Sequence, residues 1–254
     1  MKNTFSSNNI KKVISEHITF RNEKNDILTS ICMCEIPDSY PLEDLNLDFL
    51  SQSEQIELLQ KKYNRMKKGY LLGRFAAKEA IRNLNSQYDR NQIVLSNGIF
   101  GQPYLKEPLD NTIKITLSHS DGLGLAFAYP NYFCAGIDIQ KVDSKSTKAI
   151  KSMLTKEEIE FVDLYKNNIN EIYTMIWSIK EAVSKCIMTG LTAPFNIFSL
   201  NTIVEEENYI MGTFKNFTQY QYISFMYKTY CISLVYPKTT KLVTDIFKII
   251  NSNE

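Results

Sequence analysis

The chain has 254 residues, 44% of them hydrophobic, enough to bury a large core as one domain or as two modules of about 100 to 150 residues each. Its 29 basic and 28 acidic residues nearly cancel, which excludes a global field drawing it to nucleic acid or to an anionic membrane, so any anionic ligand has to be gripped by local charge. The five cysteines, Cys32, Cys34, Cys134, Cys186 and Cys231, form no CxxC pair, which argues against a disulfide framework or a zinc knuckle and for free thiols in a reducing compartment.

The opening segment, Met1 to Lys12, is polar and lacks the apolar stretch of a secretory signal, and no later run approaches the ~20 apolar residues of a membrane span. A soluble, cytoplasmic protein is expected. Leu50-Ser51-Gln52-Ser53-Glu54-Gln55-Ile56 places a serine before acidic residues, as a helix N-cap does. Leu154-Thr155-Lys156-Glu157-Glu158-Ile159 repeats that pattern about a hundred residues later. Ala77-Lys78-Glu79-Ala80, inside a helical pattern, is echoed in the same way by Lys180-Glu181-Ala182.

Strand-type sequence follows each helix, at Ile93 to Leu95 and Ile113 to Tyr129 in the first half and from Ile197 to Val235 in the second. The turn signal Tyr129-Pro130-Asn131 sets a boundary. The expected fold is therefore α/β (α+β): two similar modules, residues 1–130 and 131–254, each a long helix packed on a small, mainly antiparallel sheet. Residues before Ile27 and after Thr244 are expected to be peripheral.

Three segments carry groups that suit chemistry. Ile113, Ile115 and Leu117 alternate with polar residues in a strand that ends at Ser118, His119 and Ser120, whose side chains can donate hydrogen bonds to phosphate oxygens; a polar hairpin corner is the plainer alternative. In Gly136-Ile137-Asp138-Ile139-Gln140, strand alternation puts Asp138 and Gln140 on one face, an oxygen pair suited to a hard cation, or else a solvated edge. In the second helix Ile176, Ile179, Val183 and Cys186 or Ile187 make an apolar stripe. Off that stripe Glu181 and Lys185 stand one turn apart, able to serve one ligand or to form an exposed charge pair.

In this order and spacing, Gly101-Gln102-Pro103, Ser118-His119-Ser120, Gly136 to Gln140 and Trp177-Ser178-Ile179-Lys180-Glu181-Ala182-Val183-Ser184-Lys185 resemble the signatures of the Sfp-type 4′-phosphopantetheinyl transferases. With Leu71-Leu72-Gly73-Arg74 upstream, the similarity spans roughly Leu50 to Leu200. The resemblance implies a pseudo-twofold duplication with the active site in the cleft between the halves, and a monomer that suffices. It implies Mg²⁺-dependent transfer of the phosphopantetheine arm of coenzyme A to a serine of an apo acyl or peptidyl carrier protein of fatty-acid, polyketide or nonribosomal-peptide synthesis, with release of 3′,5′-ADP.

Carried over residue by residue, Asp138, Gln140 and Glu181 become metal ligands and Glu181 the base for the serine hydroxyl. Lys185 becomes the partner of the leaving 3′,5′-ADP, and Ser118, His119, Lys68, Arg74 and Lys185 contact coenzyme A. Gln140 replaces a frequent Glu and Gln102 a frequent Lys. Glu54 and Glu57 stand where basic residues are common, with Lys61, Lys62, Arg65, Lys67 and Lys68 as substitutes. A hydrolase cleaving the coenzyme A diphosphate with water, and a non-catalytic binder of coenzyme A or carrier protein, remain as alternatives.

Overall fold

A computed structural model describes residues 10–37, 40–108, 111–164 and 168–251, so most of the polar opening segment lies outside the described residues. The chain enters through a hairpin of β1 (Lys11–Arg21) and β2 (Asp26–Glu35), then forms α1 (Gln52–Leu59) and the long α2 (Asn64–Leu84). Two further hairpins follow, β3 (Val94–Asn97) with β4 (Pro103–Glu107) and β5 (Ile113–Ser120) with β6 (Leu123–Pro130). β7 (Gly136–Lys141) leads to α3 (Thr147–Lys151), α4 (Lys156–Val162) and the second long helix α5 (Ile169–Cys186). The remainder is β8 (Leu200–Glu205), β9 (Ile210–Phe214), β10 (Tyr220–Tyr227), β11 (Tyr230–Pro237), β12 (Lys241–Leu242) and α6 (Ile246–Asn251).

The strands make two five-stranded antiparallel sheets, ordered β12-β1-β2-β6-β5 and β7-β11-β10-β9-β8, with β3 and β4 as a separate pair. Strand alternation decides how these sheets are used. Ile31 and Met33 of β2, with Phe127 of β6, join Ile137 and Ile139 of β7 and Ile232 and Leu234 of β11 in one core between the sheets. The intervening Cys32, Cys34, Ala126 and Ala128 face the opposite way, onto Leu72, Ala76 and Ala80 of α2. The second sheet does the same with Cys231 and Val235 against Ile176, Ile179 and Val183 of α5. The apolar stripe expected on α5 is thus its buried face, and the layers run helix, sheet, sheet, helix.

The two helix–sheet units share internal wiring. Ser51 and Thr155 each cap a helix in a reciprocal capping box, with Glu54 and Glu158 as the returning carboxylates. Glu54 also receives Lys78 Nζ at 2.5 Å and the Leu95 amide at 3.2 Å, while Glu158 receives Lys180 Nζ at 2.7 Å and the Leu200 amide at 3.0 Å. Each lysine is completely buried, so burial favours its neutral form and the carboxylate opposes that. The echo in sequence therefore corresponds to one repeated device: a capping carboxylate that ties a short helix, a long helix and a strand together.

Two expectations need correction. Residues 10–26 are not peripheral: β1 pairs along its length with β2, and Ile14, Ile18 and Phe20 are buried in the inter-sheet core. Residues 245–251 are not peripheral either, because Ile246 and Ile250 of α6 enter the same core. The reason is geometric. β12 pairs with β1 through Phe20 and Leu242, which returns the end of the chain to the first sheet.

Candidate active site

The site grows from the contact between β7 and α5. Gly136 has no Cβ, and one added there would collide with the backbone oxygen of Ala182 and crowd the amide of Cys186, so α5 rests directly on the strand. Two residues along, Asp138 points to the same side as Gly136, towards the helix, while Ile137 and Ile139 enter the inter-sheet core. Asp138 is only 1% exposed. Its Oδ1 accepts from Lys185 Nζ at 2.6 Å and from Ser118 Oγ at 2.7 Å, whereas its Oδ2 is buried and has no hydrogen-bond partner.

Glu181 stands one turn before Lys185 on α5, and the two share a cleft of about 180 Å³ with Gln102, Leu117 and Met188. Burial first, and then the charge of Asp138, push the Glu181 carboxyl up to about 7, with Lys185 opposing. Asp138 and Glu181 are therefore near enough to repel. A buried carboxylate oxygen without a donor, beside a second carboxylate that resists ionisation, is what a hard divalent cation would relieve. Among the described residues there is no cluster of three or more His, Cys, Asp and Glu side chains to cage a metal. The two carboxylates fit Mg²⁺, which commonly fills its remaining positions with water and phosphate oxygens, and Gln140, on the same face of β7 as Asp138, lines the adjoining cleft.

β5 lies along β7 as the edge of the other sheet, and its hydroxyl-bearing residues stitch the two edges together. Thr116 Oγ1 accepts from the Ile137 amide at 3.5 Å, Ser118 donates to Asp138, and Ser120 Oγ accepts from the Lys141 amide at 3.0 Å. The other face of β5 carries Leu117 into the Glu181 cleft and His119 into a second cleft of about 420 Å³. Arg65, Lys68, Gln140 and Lys141 also line that second cleft together with Asp121, which leaves it basic on balance.

His119 lies over Gly69, where any Cβ would strike the imidazole. Loss of water around the ring, then the charge of Lys185, holds His119 below the ordinary histidine value, with Asp138 opposing and Arg65 adding to the fall. Asp121, at the β5–β6 turn, ion-pairs with Lys141 at 3.6 Å and with Arg65 at 4.0 Å.

Of the residues singled out from sequence, the structure brings Asp138, Glu181, Lys185 and Ser118 together and sets Lys68, His119 and Gln140 in the adjoining basic cleft. Arg74 is not there. It is 4% exposed, set between Glu54 Oε1 at 3.6 Å and Glu57 Oε2 at 3.5 Å and stacked on Tyr70, so it serves the α1–α2 contact. Ser118 is likewise withdrawn, with its hydroxyl committed to Asp138. Lys141 was missed from sequence, although its place directly after Gln140 at the end of β7 was a usable signal. Gln102 is found in the Glu181 cleft, and its Oε1 accepts from the Phe100 amide at 3.0 Å, bracing the β3–β4 turn.

Among the described residues no helix is long and apolar enough to cross a membrane. Comparison with curated proteins gives no match. Residues 134–235 match the family model described as the 4′-phosphopantetheinyl transferase superfamily. The matched stretch holds Asp138, Gln140, Glu181 and Lys185, and leaves Ser118, His119, Lys68 and Arg74 outside. The mixed α/β architecture is consistent with that fold, and the match supports a transferase of the phosphopantetheinyl kind. Residues 134–235 of this chain, with the β7–α5 contact at their centre, are a domain of the 4′-phosphopantetheinyl transferase superfamily.

Proposed function

We propose that the protein moves the 4′-phosphopantetheine arm of coenzyme A onto a serine hydroxyl of an apo acyl or peptidyl carrier protein and releases 3′,5′-ADP. The observation that carries this reading is the convergence of Asp138, from a strand, with Glu181 and Lys185, from a helix, beside a basic cleft. A diphosphate ester needs positive charge around its phosphates and a base next to the attacking hydroxyl, and these two features supply both.

Arg65, Lys68, Lys141 and His119 would hold and orient the anionic groups of coenzyme A. Glu181, which shares a cleft with Lys185, would take the serine proton as the hydroxyl oxygen bonds to the phosphorus of the phosphopantetheine group. The bond to the bridging oxygen breaks, and Lys185 would face the charge left on 3′,5′-ADP. Asp138, Glu181 and Gln140 would hold Mg²⁺, which when bound supplies charge neutralisation at the diphosphate. One chain contains both clefts, so a monomer suffices.

The test incubates purified protein with coenzyme A, Mg²⁺ and several apo carrier proteins, and reads the carrier's intact mass. The expected result is one added phosphopantetheine group per acceptor serine. Free phosphopantetheine with every carrier unmodified would establish the hydrolytic reaction, with water replacing serine, and overturn this reading.

A further inference from the structure

We propose that Ser118 is a positioning residue for Asp138 rather than a contact to coenzyme A phosphate, an assignment that rests on the cation site described above. A hydroxyl that binds a ligand phosphate has to reach the cleft. Ser118 is 7% exposed, and its hydroxyl proton is directed to Asp138 Oδ1 at 2.7 Å. Its neighbours on that side of β5, Thr116 and Ser120, also spend their hydroxyl oxygens on β7, at the amides of Ile137 and Lys141. Thr116 and Ser120 still border the two clefts, whereas Ser118 lines neither.

The consequence lies in the two oxygens of Asp138. Ser118 and Lys185 both engage Oδ1, which fixes the plane of the carboxylate and leaves Oδ2 as the buried, unpartnered atom. Lys185 is a long side chain on a different element that reaches in from the cleft, with a quarter of its side chain exposed. Ser118 is short and held by a strand in the adjoining sheet, so it is the rigid half of the clamp. Removing it would let the carboxylate turn and would leave the cation one poorly aimed ligand. The basic cleft that holds phosphates would not change, because Arg65, Lys68, His119 and Lys141 do not depend on the Ser118 hydroxyl.

Two binding measurements without carrier protein separate the possibilities. Mn²⁺, read by electron paramagnetic resonance, probes the cation site, and 3′,5′-ADP in EDTA, read by calorimetry, probes the phosphate site. Ser118→Ala is expected to weaken Mn²⁺ binding about tenfold, the typical effect of losing one hydrogen bond to a charged group, with 3′,5′-ADP affinity unchanged. Ser118→Thr, which restores a hydroxyl, is expected to recover most of the Mn²⁺ affinity. If Ser118→Ala does not fold, Ser118→Cys, a weak donor of similar size, carries the same expectation.

Loss of 3′,5′-ADP affinity with Mn²⁺ binding intact would overturn the assignment and restore a phosphate contact. Wild-type protein that binds no Mn²⁺ would overturn it as well. A protein that shows the expected Mn²⁺ change but transfers nothing to any carrier would defeat the proposed function and leave Ser118 as assigned.

Discussion

Glu79 and Glu181 occupy echoing places in sequence, each directly after a buried lysine, yet their surroundings drive them in opposite directions. Glu79 receives Lys12 at 2.9 Å, Arg82 at 3.2 Å and also Arg90. Burial alone would raise its pKa, but the bonds from Arg90 and Lys12 outweigh burial and hold it below the ordinary 4.5. Glu181 is raised by its burial and then by the neighbouring Asp138, with Lys185 alone opposing. The sign for stability follows. A carboxyl depressed in the folded state binds fewer protons there than in the unfolded chain, so its contribution is present above pH 4.5 and is lost as pH falls below that value. Urea midpoints measured against pH should show this acid loss in the wild type and a shallower slope in Glu79→Gln; an unchanged slope would remove Glu79 from the acid response.

Residue chemistry was partly legible in the sequence. Strand alternation and helical spacing set which way Asp138, Glu181 and Lys185 point, but left a solvated edge and an exposed charge pair open, and only the ordered set of motifs singled the three out. The fates of Arg74 and Ser118 were not, because each is decided by a partner on another element: Glu54 and Glu57 on or beside α1 for the first, Asp138 on β7 for the second. Nothing in the local spacing around either residue names those partners.

Among the elements, the lysine–carboxylate knots govern how the long helices sit. Lys180 and Glu158 are both buried, and Glu158 also caps α4 and accepts from the first residue of β8. Lys180→Met alone leaves a buried carboxylate without its cation and should cost about 3–5 kcal/mol in chemical denaturation. Replacing both partners, with Lys180→Met and Glu158→Leu, should recover part of that loss, offset by the missing cap, which is worth about 1 kcal/mol. A single substitution costing no more than an exposed ion pair would contradict the knot as a stabilising device. The helix starts at Ser51 and Thr155 were visible in sequence because a cap is a local signal. The returning lysines were visible only as an echo, since their burial depends on contacts between residues 22 to 24 positions apart.

For the whole molecule, the face between the two sheets decides cohesion. Phe20 of β1 is completely buried and packs at 6.3 Å from Phe127 of the first sheet and 5.0 Å from Tyr236 of the second. It belongs to a strand expected to be peripheral, although Ile18 and Phe20 already alternated with His17 and Thr19. What hid the strand was its position outside the repeated pattern, since β1 and β12 complete the first sheet from the two ends of the chain. Phe20→Ala should lower global stability by about 3–5 kcal/mol in one cooperative transition. Separate melting of one half, with the other retaining its full stability, would show that the inter-sheet core does not bind them into a unit.

Under the proposed function Asp138 and Glu181 act together on one phosphopantetheinyl transfer, which single-turnover transfer to an apo carrier by Asp138→Ala, Glu181→Ala and the double variant would read. Each single substitution should cost at least about 100-fold, the scale of a lost base or charge-stabilising group, in a protein that still folds. If the two carboxylates act as a unit, the double variant should be scarcely worse than the more damaging single one. Losses that multiply, or near-normal turnover in either single variant, would show that the two carboxylates do not act as one unit.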